Sequence, residues 1–216
     1  MIMQRNSDAL IAELVGDLEP VKPLRFGAGM AATLAAATLS SAVVIALFGL
    51  RPDWLEGRVN PMHLLATGLY LGLALAATVT VVVMSRPQVG SDYSGWRWAA
   101  AMTGLLPVAG LIVGISRGHD MLAAETMRHG GECLVLGGGT SLLVFAMLVL
   151  WLRRGAPTAP DRAGLVAGVA AGAFGIFAFS LHCPDNDIVH IGIWHSTVVL
   201  AMAGLGRITV PRLIRW

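Results

Sequence analysis

The chain has 216 residues, of which 56% are hydrophobic and 13% charged, and its mean hydropathy is +0.71. Soluble domains carry about 25% charged residues, so this composition excludes a disordered chain, a nucleic-acid binder built on a basic face, and most soluble enzymes. The formal net charge is only +2, and two cysteines are too few for a disulfide scaffold.

Residues 1–25 are too few to bury a core but hold one amphipathic segment. Leu10, Ile11, Leu14, Val15 and Leu18 follow helical spacing, while Asp8, Glu13 and Asp17 occupy the remaining surface. Ser7 or Asp8 can cap its start and Pro20 stops it. An isolated helix of about 12 residues is marginal in water, so its apolar face is expected to lie on something else. Membrane-surface helices carry Lys and Arg on their polar face. This one is acidic, which favours a groove on a protein partner.

The rest of the chain, 26–216, reads as an all-α polytopic membrane domain. A bilayer core of roughly 30 Å needs about 20 apolar residues per helix. Six such stretches occur, near 26–50, 62–84, 98–116, 133–152, 163–181 and 188–206, and none contains Asp, Glu, Lys or Arg. The fifth is short and rich in glycine; Gly164, Gly168 and Gly172 recur every four residues, a close-packing face for a neighbouring helix. An even number of spans puts both termini on one side. The segments on that side carry Arg5, Lys22, Arg25, Arg86, Arg97, Arg153, Arg154, Arg162, Arg207, Arg212 and Arg215, against only Arg51, Arg58, Arg117 and Arg128 opposite. The positive-inside rule therefore predicts cytoplasmic termini. The length and acidity of the leading segment argue against a cleaved signal peptide.

Every histidine and cysteine falls in the loops expected outside, or near the outer ends of helices: His63, His119, His129, Cys133, His182, Cys183, His190 and His195. Spans four and five form an antiparallel hairpin, so Cys133 at the start of one lies beside Cys183 at the end of the other. Their Cα atoms can come within the ~7 Å a disulfide requires. A permanent staple and two unrelated buried thiols are the competing readings. His182 adjoins Cys183, and His129 lies four residues before Cys133, on the same face if the helix extends backwards. Thiolate with imidazole suits a thiophilic metal, cuprous copper first and zinc or cadmium behind it. The metal set expected is thus Cys133, Cys183 and His182. His195 lies about seven residues into its span, where an ionisable side chain faces the bundle interior and is a functional candidate. His190 joins the set by position alone, and His63 and His119 read as ordinary interface residues.

The short acidic helix followed by LEPVKPL, the six spans, GGECL heading the fourth and LHCPDND ahead of the sixth resemble the NrsF family, membrane-bound anti-sigma factors. The most specific marks are Leu18, Pro20 and Val21 in the tail, Cys133, and the His182-Cys183-Pro184 run. The resemblance implies a bacterial inner-membrane protein without enzymatic activity. Its tail would hold an extracytoplasmic-function sigma factor through Leu10, Ile11, Leu14, Val15, Leu18, Pro20 and Val21. Cys133 and Cys183 would sense a metal ion or oxidant. It implies no direct contact with nucleic acid and no obligatory cofactor. The alternative from another class is a quinone-linked thiol oxidoreductase, which usually relays electrons between two cysteine pairs; this chain has one pair. A small transporter for a soft metal would need a polar path through the bundle, and below His195 only scattered Ser and Thr are present.

Overall fold

The computed structural model describes residues 2–16, 18, 23–87, 95–118 and 123–214. Among them every regular element is helical. These are α1 (Ile2–Gly16), α2 (Phe26–Phe48), α3 (Pro52–Leu55), α4 (Pro61–Met84), α5 (Gly95–Ser116), α6 (Ala124–Arg154), α7 (Pro160–Ser180) and α8 (Ile188–Leu213). Six of them, α2 and α4 to α8, are long and apolar enough to cross a membrane. Asp17, Pro20, Val21 and His119, singled out in the sequence, lie outside the described residues; α1 starts at Ile2, ahead of the cap expected at Ser7 or Asp8, and ends at Gly16, so Leu18 lies beyond the helix.

The spans sit where the apolar stretches are, but their ends differ. α6 begins at Ala124, more than two turns before the apolar run, and carries Glu125, Arg128 and Glu132. A hydropathy reading stops where charge begins, whereas a helix needs only satisfied backbone and continues beyond the hydrocarbon. Arg128 and Glu132, one turn apart, pair at 3.1 Å on its exposed face. α8 likewise runs on past Gly206 to Leu213, through Arg207 and Arg212.

The glycine-rich fifth span is the centre of the bundle. In α7, 89% of the apolar window is buried, against 22% for α2 at the periphery. The reason is its small-residue face. A Cβ on Gly168 would stand 2.0 Å from the Met202 carbonyl oxygen, and one on Gly164 would stand 2.4 Å from that of Gly206. With no side chain between them, the α7 and α8 backbones touch. In a bilayer, where lipid tails are as apolar as the side chains, such close packing is what draws helices together. α4 and α6 pack on the other sides of α7, and α2 lies along α6, α7 and α4 at the edge of the bundle.

Gly168→Ala is therefore expected to force α7 and α8 apart and cost about 1–3 kcal/mol, as overpacking does. Gly204→Ala, whose Cβ meets nothing within 4 Å, is the control and should be neutral or stabilising. Thermal unfolding in detergent, followed by circular dichroism, separates the two.

Candidate functional site

The antiparallel α6–α7 hairpin carries Cys133 on α6 towards the loop that leaves α7. That loop starts tightly: the backbone N–H groups of His182 and Cys183 both donate to the Phe179 carbonyl. Cys183 is thereby turned inwards beneath the end of the helix. The two thiols lie 4.0 Å apart, Sγ to Sγ, both buried and unbonded, with Phe179 packed against them.

α8 supplies the other half of the site through an irregularity. Asp187 caps its start, its Oδ1 accepting from the Val189 N–H, and residues Ile191–His195 form a single π-helical turn. In a regular α-helix, His190 and His195 would point about 140° apart. The wider turn, closed by i→i+5 bonds, absorbs one residue and returns both to one face. Their ring centroids are 5.2 Å apart. Tyr70 stabilises the turn from α4, its hydroxyl donating to the Ile191 carbonyl at 3.1 Å and pairing with Ser196 Oγ at 3.0 Å. Gly192 makes room on the far side, since a Cβ there would meet the Leu106 carbonyl oxygen at 2.6 Å.

The result is a four-residue cluster of Cys133, Cys183, His190 and His195. All four are buried, and one ligand atom from each lies within 4.8 Å of the others. His190 Nε2 is 3.3 Å from Cys133 Sγ and 3.9 Å from Cys183 Sγ. A tetrahedral ion bound by sulfur at about 2.3 Å and nitrogen at about 2.0 Å needs ligand atoms roughly 3.3–3.8 Å apart, so only slight contraction is required. His195 Nε2 is fully buried and has no hydrogen-bond partner among the described residues. Such an orphan is costly in an apolar interior and fits an atom kept for a ligand. On the side away from the thiols, His190 Nδ1 lies 3.4 Å from Asp185 Oδ2, and the Asp187 N–H holds Asp185 Oδ1 at 2.8 Å. This carboxylate–imidazole arrangement fixes the ring that presents Nε2 to the sulfurs. The Cys133 thiol against Cys183, with the two imidazoles beside it, draws the Cys183 thiol below its ordinary pKa.

His182 and His129 take other places. His182, the third metal ligand expected from its adjacency to Cys183, points away from the thiols, because the tight turn that closes on the Phe179 carbonyl swings Cys183 inwards and leaves the residue before it on the α2 side. Its Nδ1 lies 3.3 Å from the Gly49 carbonyl oxygen and its ring packs on Phe48 and Phe179. α6 does extend back past His129, yet that side chain is exposed and lines a cavity of about 320 Å³ above the cluster. Glu125, Asp185, Asp187, His190 and Trp194 line the same cavity. Of its three carboxylates, Asp187 lies 3.4 Å from Arg117 and Asp185 lies 3.4 Å from His190, and His190 stands between the chamber and the thiols.

One residue beside the cluster escaped the sequence reading altogether. Arg51, only 2% exposed, follows α2 and reaches into the Cys183 loop. Its Nη1 donates to the Cys183 carbonyl and lies 3.0 Å from His63 Nδ1, while Nη2 donates to Asn186 Oδ1 at 3.0 Å. Asp53 compensates the charge with two bonds of 2.9 and 2.8 Å, and its carboxyl is held below the usual carboxylate range by the Arg51 hydrogen bonds. His63 is thus part of a buried polar network that continues through Thr67 to Ser180. Among four arginines expected on that side, nothing in the sequence distinguished this one.

The fold and the cluster define a class: a six-span helical membrane protein with a buried thiol–imidazole centre at the end of the bundle opposite its termini. Within that class the chain belongs to the family Negative regulator of sigma F (NrsF), whose match covers residues 14–216. It is 33% identical over 223 residues to the anti-sigma-F factor NrsF of Caulobacter vibrioides, spanning 97% of both chains. It is 28% identical over 216 residues to the probable anti-sigma-F factor NrsF of Azospira oryzae, spanning 96% of both. Both relatives are named as regulatory proteins rather than enzymes, which removes the oxidoreductase alternative. No solved structure matches the chain.

With the sulfurs 4.0 Å apart, a disulfide at about 2.05 Å needs only a local approach. Diamide treatment of the purified, reduced protein is expected to give an intramolecular Cys133–Cys183 bond, read as a loss of two hydrogens by intact mass. Cys133→Ser should show no such loss, and persistence of both free thiols in the wild type would contradict the geometry.

Proposed function

We propose that this protein is an anti-sigma factor of a bacterial inner membrane, with both termini in the cytoplasm. Its tail holds a sigma factor of the extracytoplasmic-function type. Capture of a thiophilic metal at the outer cluster, cuprous copper first and zinc or cadmium behind it, weakens that hold and releases the sigma factor. The observation that carries the sensing half is the convergence of two thiols and two imidazoles in one buried pocket, with an unpartnered His195 nitrogen beside them. The burial of both thiols supports a metal signal over an oxidant, which needs accessible thiolates. The metal is a signal ligand here and not a resident cofactor.

The partner half is supported by α1. Leu10, Ile11, Leu14, Val15 and Leu18 are all more than half exposed, so the bundle leaves the stripe free for another molecule. The family match begins at residue 14 and so takes in Leu14, Val15 and Leu18 but not Leu10 and Ile11. The names of the two relatives support sigma F, or its counterpart, as the occupant. The excess of basic residues on the side bearing the termini supports the orientation. Lipid surrounds the exposed apolar faces of α2 and α5, and regulation passes through the sigma factor rather than through direct contact with nucleic acid.

Leu14→Asp is expected to remove an apolar anchor worth about 1.5–3 kcal/mol and free the partner without disturbing the bundle. A sigma-dependent reporter should become constitutive at normal protein level, and unchanged repression would sink the tail assignment.

Cu(I) titrated against a competing chelator should bind the reduced protein stoichiometrically. Cys133→Ser should abolish this binding, and His190→Ala or His195→Ala should weaken it by roughly tenfold or more. His182→Ala and His129→Ala should leave it nearly unchanged. Affinity should fall as pH drops, because the ligating sulfurs must lose their protons. Equal losses for His182→Ala and His195→Ala would refute the four-residue set.

A further inference from the structure

α2 is the helix the tail leads into, and it is the least buried of the six spans. It packs on α6, α7 and α4 through Gly29, Thr33, Ala36, Ala37, Ser40 and Val44, and its polar ties among the described residues are few. At the inner end Gly29 lies against Trp151, and midway Ser40 Oγ donates to the Thr140 carbonyl at 2.7 Å. At the outer end stands Arg51. Its backbone N–H donates to the Leu181 carbonyl at 3.0 Å, and its guanidinium bonds the Cys183 carbonyl and Asn186. One residue thus grips the sensing loop before, at and after Cys183.

We propose that Arg51 is the positioning residue that ties the Cys183 loop to α2, so that ligand capture at the cluster moves α2 and reaches the tail. This rests on the sensing reading above. Arg51 carries a buried charge that must keep its partners when they move, because leaving it unpaired in a low-dielectric interior is costly. Wherever residues 181–187 settle around a ligand, the outer end of α2 follows. The helix satisfies its own backbone bonds, and lipid resists its displacement less than packed protein does, so the movement arrives at residues 23–30 as a rigid shift. His63 on α4 accepts from the same guanidinium, and Asp53 balances its charge without belonging to the moving loop. Lys cannot replace Arg here, since an ammonium lacks the planar fork that serves acceptors on four residues in fixed directions.

The test uses the full chain in lipid nanodiscs, with Cu(I) as probe and hydrogen–deuterium exchange at residues 23–30 as readout. In the wild type, Cu(I) should change exchange there. Arg51→Gln should still bind Cu(I), but the Cu(I)-induced change should fall by roughly fivefold or more. Arg51→Lys should behave in the same way, as should Asp53→Asn to a smaller degree. A full wild-type response in Arg51→Gln would overturn the proposal. Loss of Cu(I) binding in both Arg51→Gln and Asp53→Asn would also overturn it, making Arg51 a builder of the site rather than a link. If the wild type binds no Cu(I), the sensing reading fails and the link is judged without ligand. Altered resting exchange at 23–30 in Arg51→Gln then supports it, and unaltered exchange refutes it.

Discussion

The glycine face of α7 lets its backbone lie directly against that of α8, and the functional end of the molecule follows from that contact. Once Gly164 and Gly168 bring the two helices together, the short loop between them has little freedom. Cys183 must stay under the end of α7, and the first turns of α8 must pass beside it. Larger residues on that face would hold the helices farther apart and carry the imidazoles of α8 away from the thiols of α6 and of the loop that leaves α7. Together with α4 and α6 on its other sides, this contact leaves α7 with almost no lipid exposure. Its neighbours, rather than lipid, are its solvent.

Around that core the bundle tolerates an unusual concentration of polar groups at one end, and most of it is compensated. Arg51 is neutralised by Asp53 and its remaining donors find His63, Asn186 and the Cys183 carbonyl. Tyr70 and Ser196 bond each other beside the π turn. Against this background the bare Nε2 of His195 stands out. A buried donor or acceptor left unmade costs about 1–3 kcal/mol, and nearby hydroxyls of Thr67, Tyr70 and Ser180 are engaged elsewhere. The nearest chemistry on offer to that nitrogen is the pair of thiols it faces.

The π turn serves the same end. It costs regular hydrogen bonding in α8 and draws a hydroxyl from α4 to satisfy one freed carbonyl. In return, two imidazoles five residues apart face one pocket. The cluster and the tail nevertheless lie at opposite ends of a bundle about one bilayer thick. Any communication between them has to travel along a helix, and α2 is the span that joins the tail to the cluster's loop most directly.

Much of the architecture was legible in the sequence because it rests on local properties. Apolar length marks each span, the asymmetry of Arg and Lys suggests their orientation, and short loops force antiparallel neighbours. Those facts were enough to bring Cys133 towards Cys183 and to mark His195 as too deep for an idle surface residue. They could not choose its companions. Adjacency made His182 look like a ligand, but it faces away, while His190 reaches the site only through a turn that breaks the 3.6-residue period any sequence reading assumes. Arg51 looked like one loop arginine of four, because its role depends on Asp53, Asn186 and a carbonyl far along the chain. The sequence by itself determined where the helices run and which residue types gather at one end, since these depend on composition and spacing. Only the tertiary structure decided which of them meet, because that depends on how closely two backbones pack and on one irregular turn.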